Sequence, residues 1–393
     1  MFLPLSGLRV IDITSIIYGP YATQILGDLG ADVIKVEPPE GDATRVLGPA
    51  RNPGMAAVYL GSNRNKRSLV LDLKKPAAKE ALWRLVDGAD ALVHNMRPQK
   101  MAAFGFDPDA VMARNPKIVY GGLHGYREDG PYAGRPAYDD VIQGESGFAG
   151  TFTARDGAPV LAPTIVADKS AALLASTGLV AALFQKFRTG KGVYVEISMF
   201  ESMVGYTLVE HQSGATFSPP EGPMGYARAL SRQRRPHATS DGFICMLPYT
   251  DKQWGRFWEM VGTPERSAEP RFESIAARSR NIDELYAIAG AEVIKRTTAE
   301  WLDALRAAEI PCGPVNTLEA LRDDPQLRAI GFFRPFQHPS EGALEIPDSA
   351  FRFDRQSLPV RHHQPRLGEQ SREVLREAGL SEAEIDAALF GDA

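Results

Sequence analysis

The sequence predicts a doubly wound, mainly parallel α/β sheet of Rossmann-like type, joined to a smaller α/β domain. Three observations predict it. Strand-like and helix-like apolar runs alternate through the first half of the chain, which calls for parallel pairing with right-handed crossovers. The length of 393 residues suits roughly two or three domains and allows a sizeable core. A stretch rich in Pro, Gly and Arg at 213–240 separates this half from a second compact segment.

The elements follow in order. "LRVIDIT" reads as a buried strand, and "PYATQILGDLG" as a helix with Pro20 at its first position and Gly30 at its end. "ADVIKVEPP" is a second strand, stopped by its prolines. "RSLVLDL" is a strand, "PAAKEALWRLVDGA" a helix, "ALVHNM" a strand, "PDAVMARNP" a short helix and "KIVYGGLHGY" a strand. Ligands of such a sheet sit at the carboxyl ends of its strands. A long Ala/Leu/Val helix begins near Asp168, ends around "FRTGKG", and leads into "VYVEISMFESM". Beyond the Arg-rich stretch, "DGFICMLPY" is strand-like, and "DKQWGRFWEMVG", "NIDELYAIAGAEVIKR" and "TAEWLDALRAAEI" are helical. The tail from about Phe332 reads as extended and closes with "SREVLREAGL" and "SEAEIDAALFG". The expected boundaries are a large domain over 1–210 completed by 335–393, a linker or flap over 211–224, and a small domain over 225–328.

Composition narrows the function. A net charge of −5 argues against a broad nucleic-acid or anionic-membrane surface. Cys245 and Cys312 form no metal or redox motif and fit a reducing cytosol. The start has no basic segment before an apolar run, unlike a signal peptide, and "AALLASTGLVAALF" is short for a membrane span. A cytoplasmic protein with neither nucleic-acid nor membrane partners is expected.

Asp168 stands at the mouth of the long apolar helix beside Lys169. Two readings coexist there: an N-cap that accepts the first free amides, and a reactive carboxylate. The neighbouring motifs limit the chemistry. "SIIYGPYATQ" lacks the G-x-G-x-x-G of a dinucleotide turn. In "GESGF", Phe148 stands where a nucleophile elbow needs glycine. The histidines show no metal-binding spacing, so no metal is expected. Arg64, Lys66, Arg67 and Arg97 lie at strand ends, where they suit either a phosphorylated ligand or a solvated turn.

The ordered set "LSGLRVIDIT…GPYATQILGDLGADVIKVEPPEGDATR", "NRNKRSLVLDL", "VHNMRP", "GYREDGPYAGRPAYDDVIQGESG", "ADKSAALLASTGLVAALFQKFRTGKG" and "IPCGPVNTLEAL" resembles the class III CoA-transferases. That group includes formyl-CoA transferase, carnitine CoA-transferase and α-methylacyl-CoA racemase. The resemblance runs almost end to end. It implies that Asp168 attacks an acyl-CoA thioester to give a mixed anhydride and CoA thiolate. The helix N-terminus is expected to keep Asp168 ionised and to offer amides to the developing oxyanion.

CoA contacts carry over to Ile17 and Tyr18, to Leu71, Asp72, Leu73 and Lys74, to Asn95, Met96 and Arg97, and to Ala137, Tyr138 and Asp139. Ala103 stands where many members carry a phosphate-gripping arginine. Tyr138 replaces the histidine of the racemase branch, which favours transfer over racemisation. The flap segment "PPEGPMGYARAL" has only Gly222 and Gly225, unlike the glycine run of formyl-CoA transferase. Directly after it, Arg228, Arg232, Arg234 and Arg235 are candidates for the second carboxylate of a short dicarboxylic acid; a solvated or interface cluster is the alternative.

The resemblance further implies an interlocked homodimer, CoA or acyl-CoA as substrate, and no permanently bound cofactor. An acyl-CoA racemase or epimerase is the alternative within the family. A nicotinamide-dependent dehydrogenase and a CoA-binding protein without turnover are alternatives outside that activity.

Overall fold

The computed structural model describes residues 3–391. The chain divides into two compact units. The first comprises residues up to Ser146, Ala162–Gly205 and the chain from Gly331 onward; the second comprises Gly147–Leu161 and Tyr206–Ile330.

The first unit is built on six parallel strands: β1 (Arg9–Ile13), β2 (Asp32–Glu37), β3 (Lys66–Val70), β4 (Ala91–His94), β5 (Val119–His124) and β6 (Val193–Ser198). Their order is β3-β2-β1-β4-β5-β6. The order reverses on either side of β1, and the crevice at such a reversal is where this architecture takes its ligands. Helices α1 (Tyr18–Asp28), α2 (Ala57–Ser62), α3 (Pro76–Asp87), α4 (Pro98–Phe104), α5 (Pro108–Arg114) and α6 (Asp139–Glu145) lie along the first part of the chain. Pro98 at the first turn of α4 and left-handed Gly105 after it (φ 85°) mark a helix that the apolar periodicity had not indicated.

The short α7 (Thr153–Asp156) belongs to the second unit, and α8 (Val166–Thr189) returns to the first. Helix α8 packs against α1, β5 and β6. Ala171, Ala172, Ala175, Leu179 and Leu183 are buried along it. At 24 residues α8 is long and apolar enough to cross a membrane, contrary to the expectation from its shorter apolar run. Half of its apolar stretch is buried in the first unit. Gly121 of β5 lets α8 approach closely, since a Cβ there would lie 2.7 Å from Leu179. Helix α9 (Met199–His211) follows β6 directly.

The second unit holds α10 (Ala227–Leu230) and a three-stranded antiparallel sheet of β7 (His237–Ala238), β8 (Phe243–Met246) and β9 (Cys312–Pro314). With it lie α11 (Asp251–Met260), α12 (Ile275–Arg280), α13 (Ile282–Val293), α14 (Thr298–Ala307) and α15 (Pro325–Ala329). Its core is aromatic, with Trp254, Phe257, Trp258, Phe272 and Trp301 buried together. The unit takes in 147–161, which was expected in the large domain, and 211–224, which was expected as a linker. Two long-range contacts tie 147–161 to this unit. The Phe148 ring lies 6.4 Å from Tyr206, and Arg232 Nε donates to the Ala154 carbonyl at 2.9 Å.

The tail is not simply extended. β10 (Phe333–His338) and β11 (Gly342–Pro347) form an antiparallel hairpin, and β12 (Arg352–Phe353) pairs with β13 (Gln356–Ser357). Helices α16 (Ser371–Glu377) and α17 (Glu382–Phe390) then complete the first unit's core, where Val374, Leu375 and Ile385 meet Leu82 and Leu85.

Candidate active site

An open cavity of about 320 Å³ lies at the carboxyl ends of β1, β4 and β5. Each wall has a local cause. After β1 the chain turns through Ser15 and Ile16 into α1. Ser15 is held on both sides by Asn95: its N–H donates to Oδ1 at 3.0 Å and its carbonyl accepts from Nδ2 at 2.8 Å. Gly19 permits the turn, because a Cβ there would lie 2.3 Å from Thr14. After β4, Asn95, Met96, Arg97 and Pro98 form a second wall. After β5, Gly125 lies so close to Ala137 that a Cβ would meet its methyl at 2.4 Å. That contact draws the 134–138 loop over the cavity.

Asp168 reaches the cavity from the first turn of α8 and is 7% exposed. It does not cap the helix. Ile165 occupies the N-cap position and makes no side-chain cap bond. The capping carboxylate is Asp139, from α6. Its Oδ1 accepts the amides of Ala167 at 2.7 Å and Asp168 at 3.0 Å, and its Oδ2 accepts from Gln143 Nε2 at 2.5 Å. Gln143 Oε1 in turn accepts the Ala162 amide at 2.8 Å.

This arrangement overturns the expectation that the helix end keeps Asp168 ionised. Burial first, and the Asp139 charge second, push its carboxyl up from 3.8 to about 7. The amides that were to serve an oxyanion are already bonded to Asp139. Asp168 also adds to the burial that drives the Tyr18 phenol well above its usual range. That hydroxyl donates to the Ile197 carbonyl at 2.9 Å.

The structure brings many of the expected residues together. Tyr18, Asn95, Met96, Arg97, Ala137 and Tyr138 line the same cavity as Asp168. Asp139 acts behind the wall. Others lie elsewhere. Ile17 is the N-cap residue of α1. Leu71 and Leu73 are buried in the first unit's core, and Asp72 Oδ1 accepts the Lys74 amide at 3.1 Å. The strand-end cations other than Arg97 are committed to ion pairs: Arg64 to Asp28, Lys66 to Asp12, and Arg67 to Asp32, Glu373 and Glu377.

Three of the four arginines of the second unit have separate neighbours. Arg228 lies 5.5 Å over the Tyr226 ring, Arg232 bonds Ala154, and Arg235 donates to Gln233 at 3.3 Å. Arg234 is exposed.

Sequence reasoning missed Arg135, which lines the cavity with its guanidinium 4.0 Å from the Tyr132 ring centre. It also missed a buried histidine pair. The rings of His94 and His124 lie 5.4 Å apart, and burial lowers them to about 3 and about 4, so both are neutral at physiological pH. His124, Glu128 and Glu196 bring three possible metal-ligand atoms within 4.8 Å of one another. Spacing alone could not disclose that group, because Glu196 comes from β6. His124 and Glu128 do stand at i and i+4 in the sequence.

A carboxylate in a recess, close to its ionisation point and rimmed by exposed cations, can act as a nucleophile towards an activated acyl group. The comparisons with known proteins bear on that reading. The family described as CoA-transferase family III matches residues 5–371. The succinate–glutarate CoA-transferase of Agrobacterium fabrum is 32% identical over 383 residues, covering 95% of both chains. The formyl-CoA:oxalate CoA-transferase of Rhodopseudomonas palustris is 30% identical, covering 97% of this chain and 95% of that one. A CAIB/BAIF family protein from Brucella suis superposes with a TM-score of 0.80 at 30% identity, over 96% of this chain and 100% of that one.

Proposed function

The chain belongs to CoA-transferase family III, and on that premise we propose that it moves CoA between a short dicarboxylic acyl-CoA and a free carboxylic acid through an anhydride on Asp168. The observation that carries the proposal is the buried Asp168 carboxylate facing the cavity. An Asp168 oxygen attacks the thioester carbonyl, the C–S bond breaks, and CoA leaves as thiolate. The acceptor carboxylate attacks the aspartyl carbonyl and expels the donor acid, giving a second anhydride. The retained thiolate attacks the acceptor's carbonyl, and Asp168 departs as carboxylate. No net proton is consumed. A thiolate is a good leaving group, and an anhydride is energetic enough to acylate it again.

The acid class is supported by the relatives' names, since succinate, glutarate and oxalate are all dicarboxylates. The test is a matrix of succinyl-, glutaryl-, acetyl- and butyryl-CoA donors against the matching acids, read by mass spectrometry. The dicarboxylic pairs are expected to give the highest kcat/KM. Preference for the monocarboxylic pairs would overturn the acid class. Single alanine variants at Arg228, Arg232, Arg234 and Arg235 belong in the same matrix. One that holds the second carboxylate is expected to lose about 10–100-fold on dicarboxylates alone.

Arg97 is proposed to hold the donor's phosphates. Arg97→Ala is then expected to raise KM for the CoA donor by about 10–100-fold, equivalent to roughly 1.5–3 kcal/mol. The effect should vanish with a pantetheine-truncated donor. An equal loss with both donors would assign Arg97 another task. A homodimer is also proposed. Leu173, Leu174, Phe184 and Phe187 of α8 are exposed apolar side chains, which supports a surface covered by a second copy.

A further inference from the structure

The loop Thr14–Ile16 supplies one wall of the cavity through Ser15 and Ile16. Ile16 has φ 70°, in the left-handed region. A β-branched residue is strained there and keeps that conformation only where its surroundings impose it. The surroundings are a set of side chains from other segments. The Thr14 amide donates to Asp12 Oδ1 at 2.9 Å, and the Thr14 carbonyl accepts from Lys35 Nζ at 2.9 Å. The Ile16 amide donates to Asp42 Oδ1 at 3.2 Å. Asp42 Oδ2 accepts from Lys35 Nζ at 2.8 Å, and both side chains of that pair are fully buried.

A buried ion pair is a weak source of stability, because desolvating two charges offsets most of their attraction. What this pair does supply is direction. With one oxygen on Lys35, Asp42 turns the other to the Thr44 amide and hydroxyl, at 2.9 and 2.8 Å, and to the Ile16 amide, and Lys35 keeps a further proton for Thr14. Neither residue lines the cavity.

We propose that Lys35 and Asp42 are positioning residues, the buried pair holding Ile16 in its left-handed conformation so that the 14–16 loop forms the wall against which acyl-CoA binds. The inference rests on the reading that the cavity takes acyl-CoA. It does not depend on the anhydride chemistry, so CoA affinity is its readout.

Five forms of the full-length protein decide it: wild type, Asp42→Asn, Ile16→Gly, Asp42→Asn with Ile16→Gly, and Ile16→Pro. Each is titrated with CoA by calorimetry and melted. Asparagine has one acceptor oxygen for the two that Lys35 and the Ile16 amide now use, so Asp42→Asn is expected to weaken CoA binding about tenfold and to lower the melting temperature. Glycine adopts φ 70° without help. Ile16→Gly alone loses a side chain that lines the cavity and is therefore the reference; adding Asp42→Asn to it is expected to cost less than about threefold in affinity. The melting temperature should stay low, because Lys35 still lacks its charged partner.

Ile16→Pro leaves Lys35 and Asp42 paired but cannot adopt a positive φ. It is expected to weaken CoA binding to the same degree, and it keeps the test informative if Asp42→Asn does not fold. Unchanged affinity in Ile16→Pro would overturn the inference. So would a further tenfold loss of affinity when Asp42→Asn is added to Ile16→Gly. Wild type that binds CoA yet transfers it to no acid would sink the proposed reaction and leave these affinity readouts decisive.

Discussion

Asp168→Asn is expected to lower CoA transfer by at least about 10³-fold while CoA remains bound. An amide cannot open the thioester, and asparagine has nearly the shape of aspartate, so the cavity should persist. Wild type incubated with acyl-CoA alone should carry an acyl group on the peptide containing Asp168, removable by hydroxylamine; the variant should carry none. The same substitution should stabilise the protein at high pH. The Asp168 carboxyl is raised from 3.8 to about 7 by burial and then by Asp139. The folded state thus binds its proton more tightly than the unfolded chain, and stability falls as pH rises between about 4 and 7. Asparagine has no charge to desolvate. Its melting temperature relative to wild type should therefore climb from pH 5 to pH 8. In wild type, kcat/KM should rise through about pH 7 as the nucleophile ionises. Full turnover in Asp168→Asn would remove Asp168 from the mechanism. A variant that melts lower than wild type at pH 8 would contradict the buried, uncompensated carboxylate.

Substitutions at Asp139 separate two effects that one carboxylate combines. Asp139→Ala leaves the Ala167 and Asp168 amides without their acceptor and takes from Gln143 Nε2 its bond to a carboxylate. A loss of about 2–4 kcal/mol is expected, from unpaired buried donors that had bonded to a charge. The start of α8 should shift, and kcat should fall about 10²-fold through misplacement of the nucleophile. Asp139→Asn keeps an oxygen for the two amides and removes only the negative charge. Without that charge the Asp168 carboxyl should titrate lower, moving the acid limb of the kcat/KM profile to lower pH. Hydrogen-exchange protection of the first turn of α8 should be lost in the alanine variant and kept in the asparagine variant. An unchanged acid limb in Asp139→Asn would mean that burial alone sets the Asp168 ionisation.

Much of the catalytic unit was legible in the sequence because its signals are local. A strand such as "LRVIDIT" declares itself through consecutive β-branched apolar residues, and a parallel sheet follows from strands separated by helices. The loops that bear Asn95, Arg97 and Tyr138 follow strand ends, so their place at the ligand-binding edge came with the topology. The second unit's claim on 147–161 was not legible, because it depends on Phe148 meeting Tyr206 and on Arg232 reaching Ala154, pairs far apart in the chain. The β10–β11 hairpin was hidden by Pro335 and Pro347 within its strands, which weaken the strand pattern.

The sequence by itself determined that a parallel α/β sheet would present an aspartate at the start of a long apolar helix. Residue order decides strand and helix, and those decide which residues reach the sheet's carboxyl edge. Only the tertiary structure decided what that aspartate is. It set Asp139 as the helix cap 29 residues upstream of the amide it holds, removed Asp168 from water, and strained Ile16 against a buried ion pair. Ionisation and strain depend on which groups are brought within a few ångströms and on how much water is excluded, and neither quantity is encoded in the spacing of residues along a chain.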